Sequence, residues 1–271
     1  MTKFQRYGNI VKRYVLYLIE EVINMETKDT CCFSPNLQRD MSVRIYGNTG
    51  LPLLIFPTQD AMSDNFENFG MIDTLADELN SGHIQLFCVD TIDSETWSNV
   101  WGDKDWRAQR QEQYYNYIVE EVLQFIKTTN ATDKLPIPVG CSLGGLHAAI
   151  LFFRRPELFG GMLSLSGVYD AKLFFDGWLN QTLYENSPID FLANMWEGHP
   201  NIQVYNEKQI ILCIGQGRWE DEGRRTTAIM RDIFNAKHIN AWVDFWGFDV
   251  DHDWVWWKKQ IIYFLPHLLN S

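Results

Sequence analysis

The sequence predicts an α/β fold, with a mostly parallel central sheet, an antiparallel hairpin on its amino-terminal side and helices on both faces. Three observations carry this reading. Short continuous apolar runs recur along the chain, segments of helical period lie between them, and no repeat, low-complexity tract or Pro/Ser-rich linker divides the 271 residues. A chain of this length with 46% apolar residues can bury a substantial core, so one domain spanning residues 1–271 is expected.

The elements follow in order. Lys3, Arg6, Lys12 and Arg13 precede an apolar run, Tyr14-Val15-Leu16-Tyr17-Leu18-Ile19, which superficially resembles a secretion signal. Glu20 and Glu21 interrupt that run, it is too short to span a bilayer, and no small-residue cleavage site follows. Val11, Val15, Leu18 and Val22 instead share one face of an amphipathic helix. A hairpin is predicted from Thr30-Cys31-Cys32-Phe33, the turn Ser34-Pro35-Asn36 and the strand Met41-Ser42-Val43-Arg44-Ile45-Tyr46. Leu51-Pro52-Leu53-Leu54-Ile55-Phe56 then reads as a strand buried on both faces. Similar runs follow at residues 84–89, 135–139, 161–165 and 209–214, with a last candidate strand at 241–246. Ile118, Val122, Phe125 and Ile126 form one face of a helix near 108–128, and Ala228, Ile229, Ile233 and Phe234 do so near 222–237. The stretch 171–207 breaks the alternation. It is long, holds Trp178 and Trp196, and shows no clear strand, so it is expected to be a cap-like insertion over the site.

Composition narrows the partners. With 23 basic against 35 acidic residues the formal charge is -12, which repels nucleic acid and anionic membrane surfaces. The five cysteines are odd in number and lack the paired C-x-x-C spacing of a zinc site. Buried, reduced thiols in a cytoplasmic protein are the simplest account, and neither a metal nor a cofactor is implied. Homo-oligomerisation is compatible with the sequence.

In an open parallel sheet the binding crevice lies outside the carboxyl ends of the strands. One motif falls there: Gly140-Cys141-Ser142-Leu143-Gly144, a G-x-S-x-G pattern. The pattern alone arises by chance in roughly one chain in ten. Its context carries more weight, because Pro136-Ile137-Pro138-Val139 reads as a strand and 143–153 as a helix. The serine therefore sits at a tight strand-to-helix turn, the nucleophile elbow of the α/β-hydrolase fold, where only glycines leave room for neighbouring strands and the helix. The Leu143 amide, at a helix amino terminus, can donate to a developing oxyanion. The competing reading is a serine that merely caps its helix, which Asp or Asn could replace without loss of function.

A serine hydroxyl needs a base, and in this fold the chain order is Ser, then acid, then His. Of six histidines, only His252 follows the last strand and precedes the final helix. His83 lies at a strand entry, at the end of the sheet opposite the crevice, while His147 lies in the helix after the serine and would point along it. His199 falls in the cap-like stretch, His238 before the last strand and His267 on the terminal helix. The acid belongs after the penultimate strand, in Gly217-Arg218-Trp219-Glu220-Asp221-Glu222. Glu220 comes first after the turn; Asp221 is the alternative, and Asp221 and Glu222 equally suit the amino-terminal dipole of the next helix. Asp251 and Asp253 flank the histidine but should point away from its ring. A second oxyanion donor is expected from Pro57-Thr58-Gln59-Asp60, with Thr58 and Gln59 as the candidates. Trp97, Trp101 and Trp106 lie in the loop beyond residue 90, on the crevice side, where they either line a pocket or simply pack.

These motifs, with Asn68-Phe69-Gly70-Met71-Ile72-Asp73, Leu165-Ser166-Gly167-Val168-Tyr169-Asp170 and Asp251-His252-Asp253-Trp254, resemble the putative esterase family. That family includes S-formylglutathione hydrolases (esterase D), feruloyl-esterase-type enzymes and mycobacterial mycolyltransferases. The resemblance covers residues 34–268 and implies Ser142 as nucleophile, His252 as base and an acid at Glu220. The expected function is a serine carboxylesterase acting on small-molecule esters or thioesters. An acyltransferase with the same triad, and a hydrolase-fold binding module without catalysis, are the alternatives, and a fluorophosphonate probe separates the last from the first two.

Overall fold

The computed structural model describes residues 26–269, and the helix expected on Val11, Val15, Leu18 and Val22 lies outside them. Eight strands are present among the described residues: β1 (Thr27–Ser34), β2 (Arg39–Tyr46), β3 (Leu51–Phe56), β4 (Ile84–Val89), β5 (Ile137–Cys141), β6 (Gly161–Leu165), β7 (Gln209–Ile214) and β8 (Trp242–Phe245). They form one sheet in the order β1-β2-β4-β3-β5-β6-β7-β8. The first two pairings, β1 with β2 and β2 with β4, are antiparallel; every pairing from β4 to β8 is parallel.

The predicted hairpin forms because Ser34 closes it. Its carbonyl accepts the Gln38 amide at 2.8 Å, and its hydroxyl accepts the Leu37 amide at 3.1 Å. The strand predicted at 135–139 instead runs from Ile137 to Cys141, so that it ends directly at Ser142.

Continuous apolar strands are explained by what covers each face. Leu54 and Phe56 of β3 join a core with Phe87, Ile210, Leu212 and helices on one side of the sheet. Leu53 and Ile55 join Leu86, Val139, Leu163 and Ile211 on the other. A two-sided core needs apolar residues at most strand positions, and each fully buried Leu, Ile or Phe contributes roughly 1.5–3 kcal/mol. The first face is covered by α1 (Lys104–Asn116), the π-helical turn Tyr117–Val122, α2 (Leu123–Thr129), α3 (Leu143–Arg154) and α4 (Asp221–Lys237). The second is covered by short helices within 65–80 and by α5 (Trp254–Leu269).

Helix α3 positions the site. Residues Leu143 to Phe153 are all buried, and the helix stops at Arg155, whose backbone Pro156 pushes out of the helical region. The stretch 171–207 contains no strand; it is built of short helices, Ala171–Phe175, Gln181–Glu185, Pro188–Ala193 and Pro200–Asn206. Among the described residues no helix is long and apolar enough to cross a membrane. Cys88, Cys141 and Cys213 are buried as expected, whereas Cys31 and Cys32 are exposed on β1; all five are free.

Candidate active site

The ladder between β5 and β6 does not stop at the last paired residues. The Ser142 amide donates to the Leu165 carbonyl at 2.8 Å, and the Ser166 amide donates to the Cys213 carbonyl at 2.7 Å. The carboxyl ends of β5, β6 and β7 are thereby aligned, and the loops that follow them converge. Ser142 itself has φ +57°, ψ −126°, a backbone conformation that side-chain-bearing residues rarely adopt.

The strained turn is held by what its glycines lack. A Cβ on Gly140 would overlap the Gly144 backbone, and a Cβ on Gly144 would lie 2.5 Å from the carbonyl oxygens of Phe56 and Pro57. Helix α3 can therefore start within contact of the loop after β3, which brings the two candidate oxyanion segments together.

The side chains converge on the serine. Glu220 Oε2 accepts from His252 Nδ1 at 2.9 Å, and His252 Nε2 lies 2.9 Å from Ser142 Oγ. An ionised carboxylate only accepts, so Nδ1 carries the proton and Nε2 is left to accept from the serine hydroxyl. Glu220 is buried, with one oxygen on the histidine and the other accepting from Ser166 Oγ at 2.6 Å. Ser166 in turn accepts from Trp257 Nε1 at 3.0 Å, and the Trp257 ring meets the His252 imidazole edge-on at 4.9 Å. Both Glu220 oxygens are thus engaged, and the buried Ser166 and Trp257 hold the carboxylate and the imidazole from behind.

The acid and histidine loops are also joined to each other. Arg218 donates from its backbone amide to Asp251 Oδ1 at 2.7 Å, and from Nε and Nη2 to Oδ2 at 2.9 and 2.7 Å. The His252 amide returns to the Arg218 carbonyl at 3.0 Å. The hydrogen bonds from Arg218 hold the Asp251 carboxyl below the usual carboxylate range. Cys141, beside the serine, offers no competing nucleophile, since burial pushes its thiol pKa up and keeps it protonated.

The remaining candidates separate cleanly. Asp221 and Glu222 point away and pair with Arg224 and Arg225 at 3.0 Å each, at the start of α4. Asp251 faces Arg218, and Asp253 accepts the Val255 amide at the start of α5. The Leu143 and Gln59 amides have no acceptor among the described residues. The Thr58 amide does have one: it donates to Asn65 Oδ1 at 3.0 Å, which removes it from the set of free donors. Of the tryptophans, Trp97 is fully buried against His147, Phe174 and Phe175, whereas Trp101 is 95% exposed. His83 pairs with Glu78, and His199 accepts the Asn201 amide. His147, expected to lie along α3, is buried and donates from Nε2 to Asp93 Oδ1 at 2.9 Å.

Sequence reasoning gave no place in the site to Ser166, Trp257, Asn65 or Asp93. Ser166 had a usable signal, since it is the first residue beyond the carboxyl end of β6. Trp257 and Asp93 are distant in sequence from what they bind, with Trp257 and Ser166 separated by 91 residues, and Asn65, only seven residues beyond Thr58, is an ordinary polar residue with no motif around it.

The sequence pattern of the putative esterase family matches residues 34–268, which include every residue of this arrangement. The chain belongs to that family. The match makes this chain a hydrolase of carboxylic esters. No curated protein sequence matches the chain. Several solved structures share the fold. A ferulic acid esterase superposes with a TM-score of 0.71 at 13% identity, covering 90% of this chain and 98% of the other. The S-formylglutathione hydrolase FrmB of Staphylococcus aureus gives 0.68 at 15% identity, covering 91% and 97%. MPT51 of Mycobacterium tuberculosis gives 0.70 at 15% identity, covering 91% and 98%. The esterase fold therefore spans nearly all of this chain and nearly all of each neighbour.

Proposed function

We propose that this esterase is a serine carboxylesterase that cleaves ester or thioester bonds of small molecules through an acyl-enzyme on Ser142. The observation that carries the reading is the unbroken hydrogen-bond chain from Glu220 through His252 to Ser142 Oγ, with 2.9 Å at each link to the imidazole, beside two amides without acceptors among the described residues.

In the first step Ser142 Oγ attacks the ester carbonyl carbon while its proton passes to His252 Nε2. The buried Glu220 carboxylate stabilises the imidazolium and keeps the ring oriented. The carbonyl oxygen becomes an oxyanion and accepts from the Leu143 and Gln59 amides, the first at the amino terminus of α3. Collapse of the tetrahedral adduct breaks the bond to the alcohol or thiol, which leaves with the proton from Nε2. Water then attacks the acyl-enzyme by the same path in reverse, releasing the acid and restoring the serine.

Two measurements test this. A fluorophosphonate should label the chain once, at Ser142, and the Ser142→Ala variant should turn over p-nitrophenyl esters about 10⁴- to 10⁶-fold more slowly than the parent. Undiminished turnover by Ser142→Ala would end the proposal.

We also read residues 1–271 as one domain and 171–207 as a cap-like insertion. The support is that the beginning of this stretch is tied to α1, the helix that follows the crevice-side loop. Phe174 O accepts from Arg107 Nη2 at 2.8 Å, and Asn180 Nδ2 donates to Asp105 Oδ1 at 2.8 Å. Five free cysteines fit a reducing compartment, which supports the cytoplasm as location.

A further inference from the structure

The loop after β3 departs from the glycine-rich sequence that often forms this half of an oxyanion hole, so something other than backbone freedom must aim its amide. Three hydrogen bonds bracket Gln59. On one side the Thr58 amide is held by Asn65 Oδ1 at 3.0 Å. On the other, the Asp60 amide donates to Asp93 Oδ2 at 3.3 Å, with Asp60 in the left-handed region at φ +59°. The Gln59 side chain is itself tied off, Nε2 donating to Ser98 Oγ at 2.7 Å, and the Ser98 amide donates to the Asp93 carbonyl at 2.9 Å. Asp93 is thus bound to the loop at the residue after Gln59 and, through Ser98, to the side chain of Gln59.

The second oxygen relation of Asp93 gives this arrangement its reference point. Asp93 Oδ1 accepts from His147 Nε2 at 2.9 Å, and both side chains are buried, at 1% and 2% exposure. His147 stands on α3, the helix whose first residue is Leu143. Its ring is wedged among aromatics, stacked on Phe56 at 5.6 Å and met edge-on by Trp97 at 6.3 Å and Tyr114 at 5.1 Å. A single carboxylate therefore connects the helix that carries one free amide to the loop that carries the other. Among the described residues neither Asp93 nor His147 is hydrogen-bonded to Ser142 or His252.

We infer that Asp93 and His147 are positioning residues that set the distance between the Leu143 and Gln59 amides, and so the width of the oxyanion hole. The inference rests on the reading of Ser142 as an acylated nucleophile, but its geometric half does not. A buried pair that only satisfied its own hydrogen bonds would affect stability alone. A pair that aims the hole must affect the tetrahedral adduct more than the bound substrate, because the oxyanion exists only in the adduct.

Three variants of the full chain decide it: His147→Phe keeps a ring and removes the donor, His147→Gln keeps a donor, and Asp93→Asn can serve only one of the two N–H groups. Competent sites are counted by fluorophosphonate titration, so that rates refer to folded protein. His147→Phe is expected to lower kcat on a p-nitrophenyl ester by about 10- to 100-fold, the scale of an ångström-level displacement or a lost donor. KM should stay within about twofold, and a trifluoromethyl ketone, which forms an oxyanion adduct with the serine, should bind more weakly by the same factor as kcat. His147→Gln should recover most of both losses, with Asp93→Asn between. Equal kcat and equal ketone affinity per titrated site in all three variants would overturn the inference, as would losses in His147→Phe that His147→Gln does not recover. If His147→Phe does not fold, Asp93→Asn against His147→Gln carries the same comparison. Hydrogen exchange separates this from a failure of the reading of Ser142. The Asp60 amide should lose protection in His147→Phe and Asp93→Asn whether or not any ester is turned over, and unchanged protection there overturns the positioning role by itself.

Discussion

The turn at Ser142 and the loop at Gln59 face each other at the carboxyl ends of β5 and β3, and they are held in shape by opposite means. The turn is fixed by exclusion: Gly140 and Gly144 sit where any side chain would strike backbone, so the helix has one way to leave the strand. The loop is fixed by attachment, through Asn65 and Asp93, two buried polar side chains that each take up one of its amides. Steric exclusion is written locally in the sequence and survives small movements of the surroundings. Attachment depends on residues elsewhere in the chain, and it can be loosened one hydrogen bond at a time.

That contrast sets the order of the expected effects. The largest belongs to Gly144→Ala, because its Cβ would lie 2.5 Å from the Phe56 and Pro57 carbonyls and must push turn and loop apart together. A loss of about 1–3 kcal/mol in urea unfolding is expected, with kcat down by about 10² or more. An unaltered rate would mean that the two segments are not coupled through this contact. Next comes Asn65→Leu, which leaves the part-buried Thr58 amide without its acceptor. It should destabilise the fold by about 1–3 kcal/mol and slow turnover by roughly tenfold, with KM little changed. Thr58→Val removes only the hydroxyl, whose own contact with Asn65 Oδ1 is 3.3 Å, and should stay within about twofold of the parent in rate.

A smaller effect, visible only through pH, lies at the clasp between the acid and histidine loops. Asp251 is held below the usual carboxylate range by its hydrogen bonds from Arg218, so its contribution to stability is complete above about pH 4 and is lost as pH falls through the depressed value. The thermal midpoint of Asp251→Asn should therefore lie below the parent's at neutral pH and meet it in strong acid. A gap that persists in acid would assign the effect to packing instead. The smallest change is Trp219→Asn: the residue is 85% exposed with φ +67°, and the substitution should keep the thermal midpoint or raise it slightly.

The same contrast explains what could be read from the sequence. The strands at Leu51–Phe56, Ile84–Val89, Gly161–Leu165 and Gln209–Ile214 were legible to the residue, because a strand buried on both faces must be largely apolar. So was the turn at Ser142, whose glycines are neighbours in the chain. The loops that would carry a base and an acid were legible from topology, which places His252 after β8 and the carboxylates 220–222 after β7. The carboxylates 220–222 could not be ranked by spacing. What separates them is that Glu220 is buried beside Ser166 while Asp221 and Glu222 face arginines on the surface of α4. The attachments of the Gln59 loop left no trace, since Asn65 and Asp93 are ordinary polar residues until the chain has folded around them. His147 shows the limit most directly. On sequence it was a helical residue pointing along its axis, and only the aromatic packing of Phe56, Trp97 and Tyr114 turns it toward Asp93.

Ser142 and His252 are 110 residues apart, and His252 reaches the serine only by way of β8 and its loop, at the edge of the sheet farthest from the hairpin. Contacts of such long range form late, after the loop-closure entropy of the intervening chain has been overcome. During synthesis, then, Ser142, the proposed nucleophile, emerges well before His252, its proposed base. Partly made chains would carry a serine no more reactive than any other, and reactivity would switch on as the last strand docks. A fluorophosphonate applied during refolding would for that reason report completion of the sheet, and the time at which labelling begins would mark the docking of β8.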